Sequence, residues 1–399
     1  MIDVLVDMTA LNTSSRERGI GRYVRNLCLA LATRSTWLDQ YPGLPGADLQ
    51  ISGLVRHHGR PDNAVDPTLS FAGDAGRKTS GLRYQRHKLE RRLFMGALLR
   101  RVPSRLVHLP DPPGTPYQQP AHRVVTCHDL IPLVLAKDYL SPLPGSRLLQ
   151  RERDKARYGS ATRVIAISQA TRHDLIEQLG IPAERIDVVP HGVDRERFSA
   201  VASAGERAVL RDELGVTGPY LLYLGAGDLR KNLPLLVRAY ARSGVGGEVS
   251  LVVAGPLSAG QKKALLTEVH RAGVAERVQL LGYTAEKYVA PLYRQCVAHV
   301  FPSSYEGFGL TVLEAMACGA PTLTTAFSSL GEVAGDAALT LKELSEEPFA
   351  HELQRLVSDA ELRAELRRRG LQRVQGFTWE RCAALTLGSY QRAIDEAKS

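Results

Sequence analysis

Five cysteines in 399 residues, with no CxxC pair among them, give neither a disulfide framework nor a structural zinc site anything to build on. Cys28, Cys127, Cys296, Cys318 and Cys382 are scattered and odd in number, so packed, reduced thiols in a cytoplasmic setting are expected. No apolar run approaches the roughly 18 residues that a membrane helix needs. Met1–Asp7 reads as a buried strand, without the basic leader and long apolar core of a secretory signal. Low-complexity tracts and repeats of solenoid period are missing too. What is present is globular: 44% hydrophobic and 23% charged residues, in a chain long enough to require two cores.

The charge is lopsided. The formal excess is +9, and the segment Arg77–Arg105 holds ten Lys or Arg residues against one acid, Glu90. Outside it bases and acids balance one for one. The segment reads as a helix over about Leu82–Leu99, with leucines among the charges. Three readings stand: an ordinary surface helix whose Arg stems cover apolar area, a peripheral contact with an anionic membrane, or a surface that steers an acidic acceptor. Near an anionic leaflet each base contributes roughly 1 kcal/mol. Nucleic acid is not expected, because no recognition motif or stacking platform accompanies the patch.

Apolar strands alternate with helices along both halves. In the first, strands are expected at Ile2–Met8, Leu49–Val55, Leu106–Leu109, Val124–Cys127, Val164–Ile167 and Ile186–Val189. Helices are expected at Ile20–Arg34, Gly145–Tyr158 and Gln169–Leu179. In the second, strands at Tyr220–Leu224, Leu251–Ala254, Val278–Leu281, His299–Phe301 and Thr322–Thr324 alternate with helices at Leu233–Arg242, Ser258–Ala272, Ala290–Cys296, Leu310–Ala317 and Glu352–Gly370. Such alternation predicts an α/β protein with parallel sheets covered on both faces. Ligands of such sheets bind beyond the carboxyl ends of the strands.

The richest stretch runs from Ala298 to Pro321. An apolar run ends at Pro302, glycines 307 and 309 bracket Phe308, and Leu310–Ala317 is periodic before Gly319 and Pro321 stop it. Glu306 and Glu314 stand eight positions apart, on the order of 12 Å if helical throughout. Hydrolytic carboxylate pairs work at roughly 5 to 9.5 Å. The wider spacing suits two sugars held apart by an anion over the free amides of Gly309 to Thr311. A nucleotide diphosphate sugar has that layout. The plain alternative is one loop carboxylate and one solvated helix carboxylate.

Residues Tyr305–Gly319 resemble the E-x7-E signature of retaining glycosyltransferase family 4, and further matching blocks follow in order. These are Gly19-Ile20-Gly21-Arg22-Tyr23-Val24, His128-Asp129-Leu130-Ile131-Pro132, Pro190-His191-Gly192-Val193-Asp194, Tyr223-Leu224-Gly225 with Arg230-Lys231-Asn232, and Phe377-Thr378-Trp379-Glu380-Arg381. The motifs are most similar to those of bacterial mannosyltransferases. The resemblance implies the GT-B architecture, two Rossmann-like doubly wound domains facing a cleft. Residues 1–195 would form the acceptor-binding domain, with helix 379–399 returning to it, and 196–378 the nucleotide-sugar domain.

The family carries its roles onto matching positions. His128 and Glu306 are implied as catalytic, both touching the transferred sugar. Gly21, Arg230, Lys231, Gly309, Leu310 and Thr311 are implied at the donor diphosphate, Glu314 at the ribose and Thr284 near the base. Many relatives have Arg directly after the strand glycine, where this chain has Ala226, so Arg230 is taken to supply that charge. Asp129 and the Ser328–Glu332 segment are read as loop organisers. No cofactor or essential metal is expected, since no DxD-like acidic cluster stands at a strand end and the basic pair with the helix N-terminus could neutralise the leaving group. The expected reaction is hexose transfer from a nucleotide diphosphate sugar, GDP-mannose first, to a glycan, lipid-linked or small-molecule hydroxyl. A sugar-nucleotide epimerase, a phosphorylase, or a non-catalytic sugar-nucleotide-binding partner protein are the alternatives.

Overall fold

The computed structural model describes residues 2–12, 19–54, 65–66, 104–111 and 122–397. The expected helix at Leu82–Leu99 and nine of the ten bases of the Arg77–Arg105 segment lie outside the described residues. Arg105 is described, and it pairs with Asp3 at 3.0 Å. The chain divides into two compact units, one of residues 1–192 with 378–399 and the other of 193–377.

The first unit is built on a seven-stranded sheet: β1 (Ile2–Asp7), β2 (Ile51–Leu54), β3 (Val65–Asp66), β4 (Ser104–Leu109), β5 (His122–Cys127), β6 (Arg163–Ala166) and β7 (Ile186–Val188). The order is β3-β2-β1-β4-β5-β6-β7, parallel throughout except for β3 against β2. Strand alternation sorts its side chains into two cores. Val4, Val6, Leu106, Val124 and Ile165 join one, while Leu5, Val107, Val125, Val164 and Ala166 join the other. Helix Gly19–Ala32 and the final helix Trp379–Glu396 cover the first core; Gln169–Leu179 helps to cover the second.

The final helix is held by more than apolar contact. Tyr390 reaches His108 Nδ1 at 2.7 Å, His108 Nε2 reaches Thr126 Oγ1 at 2.8 Å, and Tyr23 meets the same hydroxyl at 3.1 Å. At its far end Arg163 pairs with both Asp187 and Glu396, and Ser389 donates to Asp187 at 2.7 Å. The chain's exit and re-entry lie side by side. His191 stacks between Tyr23 and Trp379, with ring centroids 4.8 and 5.7 Å away. A Cβ on Gly192 would come within 2.3 Å of the Trp379 amide nitrogen, so only glycine fits.

The second unit has six parallel strands: β8 (Tyr220–Leu224), β9 (Ser250–Ala254), β10 (Val278–Gly282), β11 (Ala298–Phe301), β12 (Thr322–Thr325) and β13 (Leu339–Leu341), ordered β10-β9-β8-β11-β12-β13. The winding reverses between β8 and β11, and in the first unit between β1 and β4. Such reversal points open a crevice at the strand carboxyl ends.

Three expectations are corrected. The single helix at Glu352–Gly370 is two, Glu346–Ser358 and Ala360–Arg373, because Asp359 leaves the helical conformation and its side chain caps the second at Leu362. The helix placed at Ala290–Cys296 begins earlier and spans Glu286–Gln295, taking Pro291 into its interior. The Ser328–Glu332 segment is mostly helix, Ser329–Ala334, rather than loop. Strands β3 and β13 and helix Glu206–Leu214 were not anticipated; two or three strand residues carry too short a pattern to read.

All five cysteines are buried and free of disulfide bonds. Among the described residues no helix is long and apolar enough to cross a membrane.

Burial pushes the imidazoles of His108 and His299 down to about 3. Neither ring nitrogen of His299 has a hydrogen-bond partner among the described residues; its ring packs on Tyr293 and Phe301. An unfolded histidine titrates near 6.5, so below that pH the unfolded chain binds protons that the folded one refuses. Stability is therefore unaffected above about pH 6.5 by these groups and falls below it, by up to about 1.4 kcal/mol per imidazole per pH unit. His299→Leu is expected to lose about 1.4 kcal/mol less than the parent between pH 7 and 5.5 in urea unfolding. Equal acid sensitivity would contradict this account.

Candidate active site

The exits of β8 and β9 are floored with glycine. Gly255 sits at φ 126°, and a Cβ on it would lie 2.2 Å from the Gly225 carbonyl oxygen. A Cβ on Gly225 would in turn lie 3.0 Å from Lys231 Nζ. The missing side chains leave room for the lysine to fold back to the end of its own strand. Its ammonium rests 5.5 Å from the centroid of Phe301, the last residue of β11. Among the described residues it has no hydrogen bond and no carboxylate in contact. Desolvation lowers its pKa, and Glu306 nearby opposes that shift. A half-buried, partly desolvated cation without a contacting anion is costly. It gives the site a standing demand for negative charge.

Beyond β11 the chain runs through residues 302–309 to helix Leu310–Ala317. Gly309 precedes that helix at φ 105°, and a Cβ there would press to 2.9 Å from Leu330. No side chain caps the helix. Val312 and Leu313 already bond to the Gly309 carbonyl, whereas the amides of Leu310 and Thr311 make no backbone bond. These are the orphan donors that bind anions at helix starts. Glu314, one turn on, is buried.

Glu306 is fixed from several sides. Arg230 Nη2 approaches its Oε2 at 3.1 Å, and Ser303 donates to Oε1 at 3.0 Å. Its amide donates to Ser328 Oγ at 2.8 Å, and Ser329 Oγ donates to its carbonyl at 2.7 Å. Arg230 also contacts Asp228 at 2.7 Å and the Tyr305 carbonyl at 3.0 Å. The two members of the basic pair therefore differ: Arg230 is occupied on each nitrogen, and Lys231 is open.

Of the other expected residues, Thr284 follows β10 and bonds to the Gly282 carbonyl at 3.2 Å, beside the exposed Tyr283. Gly21 is buried in the first turn of helix Gly19–Ala32, and His128 follows β5. His128 Nε2 lies 2.7 Å from the Pro110 carbonyl, so this nitrogen carries the proton. Burial is the largest influence on its pKa and keeps it below the ordinary histidine range. Nδ1 is left as an acceptor. Gly21 and His128 belong to the first unit; Thr284, Arg230, Lys231, Glu306, Gly309, Leu310, Thr311 and Glu314 belong to the second. Sequence reasoning missed Asp228, Ser303, Ser328 and Ser329. Ser329-x-x-Glu332 has capping-box spacing and could have marked a helix start.

Two doubly wound sheets, the second carrying an open lysine, an uncapped helix and a fixed glutamate at its reversal point, give the chain the GT-B fold. The sequence matches the family described as Glycosyltransferase Family 4 over residues 18–197 and that described as Glycosyl transferases group 1 over residues 209–373. The chain belongs to this glycosyltransferase family and resembles its bacterial mannosyltransferases.

It is similar to the serotype-specific mannosyltransferase WbdA of Escherichia coli, 29% identical over 284 residues, 70% of this chain and 34% of that protein. It thus spans about a third of that relative's length. The D-inositol 3-phosphate glycosyltransferase of Frankia alni is 32% identical over 271 residues, 64% of each protein. A solved sucrose-phosphate synthase from Thermosynechococcus elongatus shares the fold, with a TM-score of 0.73, 22% identity and full coverage of both chains.

The depressed pKa of Lys231 gives a pH signature. Anion capture needs the protonated amine, so kcat/KM for a nucleotide sugar should fall on the alkaline side at a pH below the 10.5 of an ordinary lysine. Lys231→Arg should move that limb upward. A limb that does not move would remove Lys231 from anion binding.

Proposed function

We propose that the protein transfers a hexose, with retention, from a nucleotide diphosphate sugar to a hydroxyl of a glycan, lipid-linked or small-molecule acceptor. Mannose from GDP-mannose is the first choice. The resemblance to bacterial mannosyltransferases supports it, and UDP-glucose, UDP-GlcNAc and deoxysugar donors follow. The observation that carries the reading is the Lys231 ammonium, open toward an anion on the same strand-end edge as an uncapped helix start. Glu306 is anchored on that edge.

The difficult step is departure of the nucleoside diphosphate, as the bond from sugar C1 to phosphate oxygen breaks. Lys231 and the amides of Leu310 and Thr311 are assigned to the charge that develops there. The acceptor oxygen bonds to C1 on the face the phosphate leaves, and its proton passes to the departing phosphate. Glu306 and His128 hold the sugar hydroxyls, and Glu314 the ribose. Thr284 lies toward the base, and Gly21 lets backbone approach the donor. This division of labour needs no metal ion. The proposed location is the cytoplasm, with the Arg77–Arg105 bases against an anionic membrane face.

Incubation with GDP-mannose and candidate acceptors is expected to give glycosylated product in the presence of EDTA, and Lys231→Ala to reduce turnover about 10² to 10³-fold without unfolding the protein. Epimerised donor, sugar phosphate, or no turnover at all would each select a different reading. A donor at 100 times its dissociation constant should raise stability by about 2.7 kcal/mol, which ranks nucleotide sugars by thermal shift. Replacing the Arg77–Arg101 bases is expected to abolish flotation with anionic liposomes; unchanged flotation would remove the membrane contact.

A further inference from the structure

Arg230 and Lys231 are neighbours in sequence and opposite in circumstance. Every nitrogen of the Arg230 guanidinium has a partner: Nε donates to the Tyr305 carbonyl at 3.0 Å, Nη2 to Glu306 Oε2 at 3.1 Å, and Nη1 meets Asp228 Oδ2 at 2.7 Å. Its side chain is 10% exposed, and that of Glu306 14%. Two carboxylates already face this one cation, so it has little charge to offer a diphosphate.

The backbone points the same way. The Arg230 carbonyl accepts from the Ser304 amide at 2.7 Å, Asn232 Nδ2 at 2.8 Å and Ser304 Oγ at 3.1 Å. Asn232 takes a left-handed conformation, φ 49°, and its side-chain amide also donates to the Pro302 carbonyl at 3.0 Å. Ser328, whose hydroxyl accepts from the Glu306 amide, is the second non-glycine residue at positive φ among the described residues, φ 49° and ψ −134°. Strain of this kind persists where the surroundings over-determine it. Here both strained residues grip the loop that bears Glu306.

Resting on the donor reading above, we propose that Arg230 is a positioning residue. Its planar fork holds the Glu306 carboxylate at a set orientation toward the sugar, while Lys231 alone of the basic pair takes the diphosphate. A lysine at 230 has one point donor group and cannot reproduce the fork.

The test compares Arg230→Ala, Arg230→Lys, Lys231→Ala, Glu306→Gln and the Arg230→Ala/Glu306→Gln double variant in the full chain, each checked for folding by circular dichroism. Free GDP and UDP, which carry the diphosphate without the sugar, are the binding probes. Arg230→Ala is expected to bind the preferred nucleotide within about threefold of the parent, while Lys231→Ala binds at least about tenfold more weakly. Turnover of the sugar nucleotide by Arg230→Ala and Arg230→Lys should fall about 100-fold, with the loss in kcat and KM for the donor within about threefold of the parent. The double variant should be no slower than Glu306→Gln alone, within about threefold. Nucleotide binding weakened as much by Arg230→Ala as by Lys231→Ala overturns the proposal while leaving the donor reading intact; so do multiplicative losses in the double variant. A parent protein that binds neither nucleotide and transfers no sugar overturns both.

Discussion

The Arg230 carbonyl oxygen is the knot of the second unit's strand-end face. It takes donors from residues 232 and 304, so the turn after β8 cannot shift without the loop after β11. Each such bond contributes only about 1 kcal/mol net. Their value lies in geometry: two loops from strands flanking the winding reversal behave as one body. The arginine side chain leaves that knot toward Glu306 and the lysine side chain toward Phe301 and Gly225. A rigid pair of loops can thus present a satisfied charge and an unsatisfied one within two consecutive residues.

Periodicity made the strands and most helices legible. Tyr220–Leu224 is an apolar run bounded by Pro219 and Gly225, and Val4–Val6 is the apolar centre of Ile2–Asp7; parallel strands buried on both faces look like that. The site was legible only where chemistry needs unusual residue types, such as the glutamates, the basic pair and the glycines. What the sequence could not reveal was allegiance. Arg230 and Lys231 look equivalent as letters, and their difference arises from Asp228, Tyr305 and Glu306 arriving from other positions. Ser328 and Ser329 show the same limit. Ser328 stands at the N-cap and Ser329 opens the helix, yet Ser329–Ala334 has no side-chain cap, and both hydroxyls bond to the Glu306 backbone instead. The Asp359 break was hidden for another reason: the apolar spacing continues across it.

The two units keep their polar groups inside on different terms. In the first, His108 is buried but paired on both ring nitrogens, within a line of hydroxyls running from Tyr390 to Tyr23. In the second, His299 is buried among aromatic rings. A paired imidazole specifies which helix seats against the sheet; an apolar side chain would serve the latter position equally well.

The last helix has a temporal consequence. Residues 379–396 supply Cys382, Leu387 and Tyr390 to a core whose other members come from before residue 193. On a ribosome the whole intervening unit emerges first. The sheet that begins the chain must wait, one face only partly covered by helix Gly19–Ala32, while the later sheet finishes. Chaperones that shield nascent apolar surface would be needed longest by the earliest-made residues, reversing the order in which most multi-unit proteins mature.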